Sequence, residues 1–264
     1  MAATRLMTTS AAHFKHKVRI LRLLLIAVIL LAWQALSMSG LLYQDVVPGL
    51  PAVARGLYRL LADPEFYSNL WATAGETILA TVLGSATGLA GGMLLGGSRY
   101  LQRAFERYLY YLGPTPKIIF FPLMILWFGV GPSSKVALGV LSCFFPVALA
   151  VATGMRRIPP IFVRVGRSLR ATPMQMATRI YLPAMREPVV NGIRLGFGVS
   201  VIMVLLAETK LSNQGLGFLV IQNYQRFDMP GMYALLIAVF ALAVAVNALL
   251  SRLAGTKRSQ GVSI

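Results

Sequence analysis

Acidic residues are scarce in this chain: eight Asp and Glu stand against 25 Lys and Arg in 264 residues, and charged residues of all types make up only 12%. Soluble domains carry about 25%. With 57% of residues hydrophobic, too little polar surface remains to cover a body of this size in water, and the long apolar runs exclude a soluble α-protein with a greasy core. Cysteine is nearly absent. Cys143 lies alone in an apolar stretch, which excludes an intrachain disulfide and a thiolate metal cluster. His13 and His16 both precede the first apolar run and read as solvated tail residues. The sequence has no G-x-x-x-x-G-K-[ST] loop, no H-E-x-x-H pair and no G-x-S-x-G elbow with triad partners. The expectation is a chain with no catalytic residue, no bound metal and no bound cofactor. Energy for any active process then comes from another chain or an ion gradient.

A net charge of +17 suggests nucleic acid until its distribution is considered. Nucleic-acid binders gather basic residues on a soluble face with stacking aromatics or a groove-reading helix. Here the basic residues sit between apolar runs, so nucleic acid is excluded as a partner and membrane lipid is expected instead. A run of about 20 apolar residues crosses the hydrocarbon core. Six are predicted, at about 20–38, 70–97, 109–128, 136–154, 189–207 and 232–253. The fold class is an all-α integral membrane protein: a transmembrane domain over 20–254 between tails at 1–19 and 255–264. The first run is longer than a signal-peptide core and lacks a small-x-small cleavage site, so it reads as a retained helix.

Orientation follows from Lys and Arg. One side carries Arg5, Lys15, Lys17, Arg19 and Arg22, then Arg99, Arg103 and Arg107. It also carries Arg156, Arg157, Arg164, Arg167, Arg170, Arg179 and Arg186, and finally Arg252, Lys257 and Arg258. The other side has only Arg55, Arg59, Lys135, Lys210 and Arg226, while Lys117 and Arg194 fall near span ends. This bias predicts both termini in the cytoplasm. The outer stretch 39–69 contains Pro48, Pro51 and Pro64 and is predicted to hold a short helix near Val53–Leu61.

Four features could carry function. Gly84, Gly88, Gly92 and Gly96, with Ala80 one turn earlier, form a bare stripe down the second span; it serves helix packing or a sliding surface. The run Gly113-Pro-Thr-Pro-Lys-Ile-Ile-Phe-Phe-Pro122 must kink the third span, with or without lining a pathway. Glu76, Glu208, Lys117 and Arg194 are the ionisable residues within the apolar zone. Snorkelling competes with a functional role for Glu208 and Arg194, and Glu76 calls for a basic partner the sequence does not name. Lastly, the cytoplasmic loop 155–188 has apolar residues at helical spacing and a basic stripe of Arg164, Arg167 and Arg170. Thr172 is placed as a helix cap with Pro173 at the first helical position, and Leu182-Pro183 closes a second short helix. A soluble partner or anionic lipid would suit this surface.

That loop and the fifth span resemble the bacterial ABC importer permeases, whose cytoplasmic E-A-A-x-x-x-G motif is followed by a helix ending in L-P. The matching stretch is Arg164-Val165-Gly166-Arg167-Ser-Leu-Arg170-Ala171, with Leu182-Pro183 downstream. Pro122-Leu-Met-Ile-Leu-Trp-Phe-Gly-Val-Gly131, the glycine ladder, Ala207-Glu208 and Gly215-Leu-Gly217 are similar to the nitrate/sulfonate/taurine branch, and the likeness covers roughly residues 40–255. Arg164 stands where that motif has Glu, Arg170 where it has Gly, and Glu76 where relatives often have Arg. The resemblance implies a multi-pass subunit of a bacterial inner membrane. Its ATPase partner uses the ATP and docks on the Arg164–Pro183 loop. A second permease chain, forming a homodimer, and a periplasmic or lipid-anchored binding protein complete the importer. Glu76, Lys117, Pro122 and Glu208 become pathway or gate candidates, and the solute a small anion. A gradient-driven transporter or channel, or a permease-like scaffold with weakened coupling, are the alternatives.

Overall fold

The computed structural model describes residues 2–40 and 46–253, with side chains at 17–40 and 46–249. The tail 255–264, with Lys257 and Arg258, and residues 41–45 of the outer stretch lie outside the described residues. The elements are helices α1 (Ala2–Met38), α2 (Leu50–Ala62), α3 (Pro64–Gly97), α4 (Arg99–Leu112), α5 (Phe121–Phe128), α6 (Pro132–Arg156), α7 (Pro160–Ser168), α8 (Pro173–Met176), α9 (Leu182–Ala184), α10 (Arg186–Glu208), α11 (Leu216–Gln225) and α12 (Met229–Leu253). A 3-10 turn at Lys117–Phe120 leads into α5, and a π-turn at Ala177–Tyr181 joins α8 to α9. Among the described residues five helices are long and apolar enough to cross a membrane, and the bent pair α4 and Lys117–Phe128 makes a sixth if counted as one span.

The chain forms two compact units. The smaller comprises residues up to 62 with 223–234. In it the Trp33 indole donates to the Pro48 carbonyl at 3.0 Å and meets Tyr233 edge-on at 5.2 Å. Gly56 lies so close to the Pro230 carbonyl that a Cβ would stand 2.8 Å from it. The larger unit, 63–222 with the residues after 234, is built on α3, α6 and α10.

The α3–α6 contact is close because one face of α3 has no side chains. A Cβ at Gly84 would stand 2.6 Å from Cys143, at Gly88 2.8 Å from Val147, at Gly92 2.6 Å from Val151 and at Gly96 2.8 Å from Met155. From the other side of α6, Gly192 and Gly196 of α10 abut Ala150 and Cys143. In lipid, where apolar burial drives little association, such backbone approach is the main source of helix affinity. Cys143 and Val147 are thus sealed between two glycine faces.

Several predicted limits shift. The second span begins at Pro64, because Asp63 caps the helix by accepting from the Glu65 amide at 2.9 Å and proline is pre-set for the first position. The third is not one helix: α4 ends at Gly113, and the chain turns by 95° before α5. Pro114 and Pro116 cannot donate, so the α4 ladder has no continuation. Arg99, Arg103 and Arg107 therefore lie on a helix, not in a loop. Residues 2–19 are helical too.

Gly88→Val should lower stability by about 1–3 kcal/mol through overpacking against α6. Gly75→Ala, on the same helix with nothing within 4 Å, should be neutral. Thermal unfolding in detergent compares them, and equal effects would contradict the packing account.

Candidate functional site

One group of buried polar residues of the larger unit gathers at the junction of α3, α6, α10 and the loop after α10. Asn69, Thr73 and Glu76 recur on one face of α3, directly above the glycine ladder. Glu208 is the last residue of α10 and Lys135 lies in the first turn of α6. Glu208 and Lys135 are each only 1% exposed, and Glu76 6%. Lys135 Nζ contacts Glu76 Oε1 at 2.5 Å and donates to Ser212 Oγ at 3.1 Å. The Glu208 carboxylate accepts from the Thr73 hydroxyl at 2.7 Å through Oε1 and from the Gly217 amide at 2.8 Å through Oε2. Thr73 Oγ1 in turn accepts from the Leu216 amide at 2.8 Å, and Asn69 Oδ1 from the Gly215 amide at 2.6 Å.

The amides of Gly215, Leu216 and Gly217 start α11, so one carboxylate and two polar side chains of α3 occupy the otherwise unpaired donors of a helix N-terminus. Gly215 has φ +116°, and a Cβ there or at Gly217 would collide with Glu208. That requirement explains the Gly215-Leu-Gly217 sequence. Glu208 does not snorkel; it is an internal anchor for the loop. Arg194 is different, reaching Asn247 Oδ1 from Nε at 2.7 Å on an exposed face.

Lys117 and Pro122 sit at the broken span, apart from this cluster. Lys117 Nζ donates to the Gly113 carbonyl at 2.5 Å and to the Thr115 carbonyl at 3.3 Å, and lies 4.8 Å from the Phe145 ring centre. Its ammonium thus satisfies carbonyls that the proline break frees. Beside the break is an open groove of about 870 Å³, lined among others by Tyr110, Pro114, Thr153, Arg157, Asn191 and Leu195.

The other assembly is the surface hairpin α7–α9. Helix α7 ends in a Schellman motif: the Ala171 amide bonds the Gly166 carbonyl at 3.0 Å and the Arg170 amide the Arg167 carbonyl at 2.9 Å. Arg170 occupies the left-handed position at φ +52°, where glycine is the usual residue. Thr172 and Gln175 then form a capping box for α8. Gly166 is buried against Met176 and Ile180, so α7 and the π-turn pack side by side. Outside, Leu169 is 77% and Met174 72% exposed, with Ile161, Phe162 and Val165 also uncovered, among exposed Arg164, Arg167, Arg170 and Arg179. Leu182 and Pro183 close the hairpin. From 155 to 186 there is no acidic residue.

Lys135, Thr73 and Asn69 escaped the sequence reading. Lys135 follows a Gly-Pro turn and reads as a loop residue, and nothing local points to Glu76, far away along the chain. The α3 pair had a signal that could have found it: Asn69, Thr73 and Glu76 continue the Ala80–Gly84 stripe upward as a polar face.

Residues 80–258 match the family described as "Binding-protein-dependent transport system inner membrane component". Among curated relatives, the putative aliphatic sulfonates transport permease protein SsuC of Bacillus subtilis is 30% identical over 83% of this chain and 79% of its own length. The taurine transport system permease protein TauC of Escherichia coli is 27% identical, with 86% of each chain covered. A probable ABC transporter permease protein of Haemophilus influenzae is 28% identical over 86% of this chain and 93% of its own. In fold, an inward-facing structure of the MetNI methionine ABC transporter superposes with a TM-score of 0.64 at 21% identity, covering 75% of this chain and 96% of that one.

Lys135→Ala leaves two buried carboxylates without their cation and should cost about 3–5 kcal/mol. Arg170→Gly should gain about 1 kcal/mol by removing the left-handed side chain. Chemical or thermal unfolding in detergent reads both, and a neutral Lys135→Ala would show that the ion pair does not hold the junction.

Proposed function

Because this chain belongs to the family of binding-protein-dependent transport system inner membrane components, we propose that two copies of it form the pathway of an ATP-driven importer for a small anion of the sulfonate type. The chain is a multi-pass permease of the ABC class, related to the sulfonate and taurine permeases. ATP is hydrolysed by a separate subunit. A binding protein delivers the solute on the side opposite the termini, which face the cytoplasm in agreement with the Lys and Arg bias.

The observation that carries this reading is the α7–α9 hairpin. It has an exposed apolar centre at Leu169 and Met174 within an all-basic border, and such an uncovered patch marks an interaction site. The border calls for an acidic rim on the ATPase. Its backbone is held from within by the Schellman turn, the capping box and Gly166, so a push on the hairpin passes to α10 as a rigid displacement. ATP binding then shifts the pathway between inward and outward access through contacts that differ in the two states. Glu76 and Glu208, with the loop they anchor, serve the outer end of the pathway. Lys117 and Pro122 shape the break. The solute's charge is matched by neither Lys117, whose ammonium already has carbonyl partners, nor Lys135, which is paired.

Proteoliposomes holding this chain, its ATPase and its binding protein test the reading. Uptake of taurine or an alkanesulfonate that requires internal ATP is expected. Uptake driven by an ion gradient without ATP would contradict it. Reversal of Arg164, Arg167 and Arg170 to Glu should reduce ATPase association by about tenfold or more with normal insertion, whereas the three Lys replacements retain it.

A further inference from the structure

The buried junction holds two carboxylates and one ammonium. Glu76 and Glu208 face Lys135 from α3 and α10, and all three are at least 94% buried. No other titratable side chain enters the cluster among the described residues: Asn69 and Thr73 come from α3, Ser212 from the loop, and α11 contributes backbone amides, while Lys210 on that loop is exposed. An uncompensated negative charge in such a place is costly.

The hydrogen bonds show where compensation is needed. Glu208 has both oxygens occupied by donors, Thr73 and Gly217. The Thr73 hydroxyl must give its hydrogen to Glu208, because its own oxygen accepts from Leu216. Glu208 is therefore an acceptor on both sides. Glu76 Oε1 meets Lys135, and Glu76 Oε2 is buried with no hydrogen-bond partner. Glu76 and Thr73 lie one turn apart on the same buried face of α3, and Thr73 bonds Glu208, so the two carboxyl groups share this cluster. Two acceptors cannot bond each other, but an acid and a carboxylate can.

We infer that Glu76 and Glu208 bind one proton between them, carried on Glu76 Oε2 as an O–H that donates to Glu208. A single proton supplies the missing donor, gives Oε2 its partner and brings the charge of the cluster to zero against Lys135. Like-charged carboxylates sharing a site behave this way. Because Glu208 holds the Gly217 amide and the Thr73 hydroxyl, whose oxygen takes the Leu216 amide, the proton also secures the loop 209–217. Its loss sets a second negative charge beside Glu208 and releases that loop, so the bound proton acts as a catch on this end of the pathway.

The asymmetry gives the test. In the full chain in lipid nanodiscs, Glu76→Gln should unfold within about 2 °C of the wild type, since an amide N–H reproduces the donor. Glu208→Gln should lose more than about 5 °C, because one amide hydrogen then faces Thr73 or Gly217. The wild type binds one proton more when folded than when unfolded, so its midpoint should fall as pH rises from about 6 to about 9. Glu76→Gln should show a flatter profile. Glu76→Gln as damaging as Glu76→Ala, or parallel pH profiles for the wild type and Glu76→Gln, would overturn the proposal. So would stabilisation by sodium at fixed pH in the wild type and not in Glu76→Gln, since that would put a metal cation in the proton's place.

Discussion

The larger unit depends on one carboxylate. Glu208 ends α10 at the point where the chain must turn back, and it is only 1% exposed. A charge in that position survives only if its oxygens have donors, so the surrounding sequence is constrained from several directions at once. Thr73 must carry a hydroxyl, Gly217 must present its amide, and Gly215 and Gly217 must lack a Cβ. The loop after α10 is thereby fastened to α3, and Lys135 fastens the start of α6 to both Glu76 and Ser212. Below this junction the glycine stripe lets α3 and α6 lie against each other with little side chain between them.

A rigid three-helix body of this kind suits a protein that moves as blocks. Close-packed interfaces have discrete arrangements and do not deform continuously. The irregular segments lie at the edges of the body: the proline break at 113–116, with its carbonyls held by Lys117, and the π-turn 177–181 that joins α8 to α9 ahead of α10. The hairpin that precedes α10 is itself well capped, and it leads into the helix that carries Glu208 at its far end.

Much of this was legible in the sequence. The glycine spacing of four and the Thr172-Pro173 start were readable from local rules, while the glycine position at Arg170, where the structure has φ +52°, came from the family resemblance alone. The proline run announced a kink, though not a turn of 95°, and it did not announce that Lys117 would take the Gly113 and Thr115 carbonyls there. What local rules could not supply was pairing at a distance. Hydropathy treats Glu76, Lys135 and Glu208 as three separate penalties near span ends. Their mutual compensation exists only once α3, α6 and α10 have packed.

The central claim is that the basic hairpin is where another subunit drives this chain. Cys143, the single native cysteine, is buried and so shielded from reagents, and one cysteine can be placed at Leu169 on the exposed centre of the hairpin. Crosslinking that site in membranes containing the ATPase tests the claim directly. The account expects a crosslink to the ATPase whose yield changes when ATP is bound. Full labelling of Leu169Cys by a water-soluble thiol reagent in the assembled, active importer, with no crosslink in any nucleotide state, would contradict it.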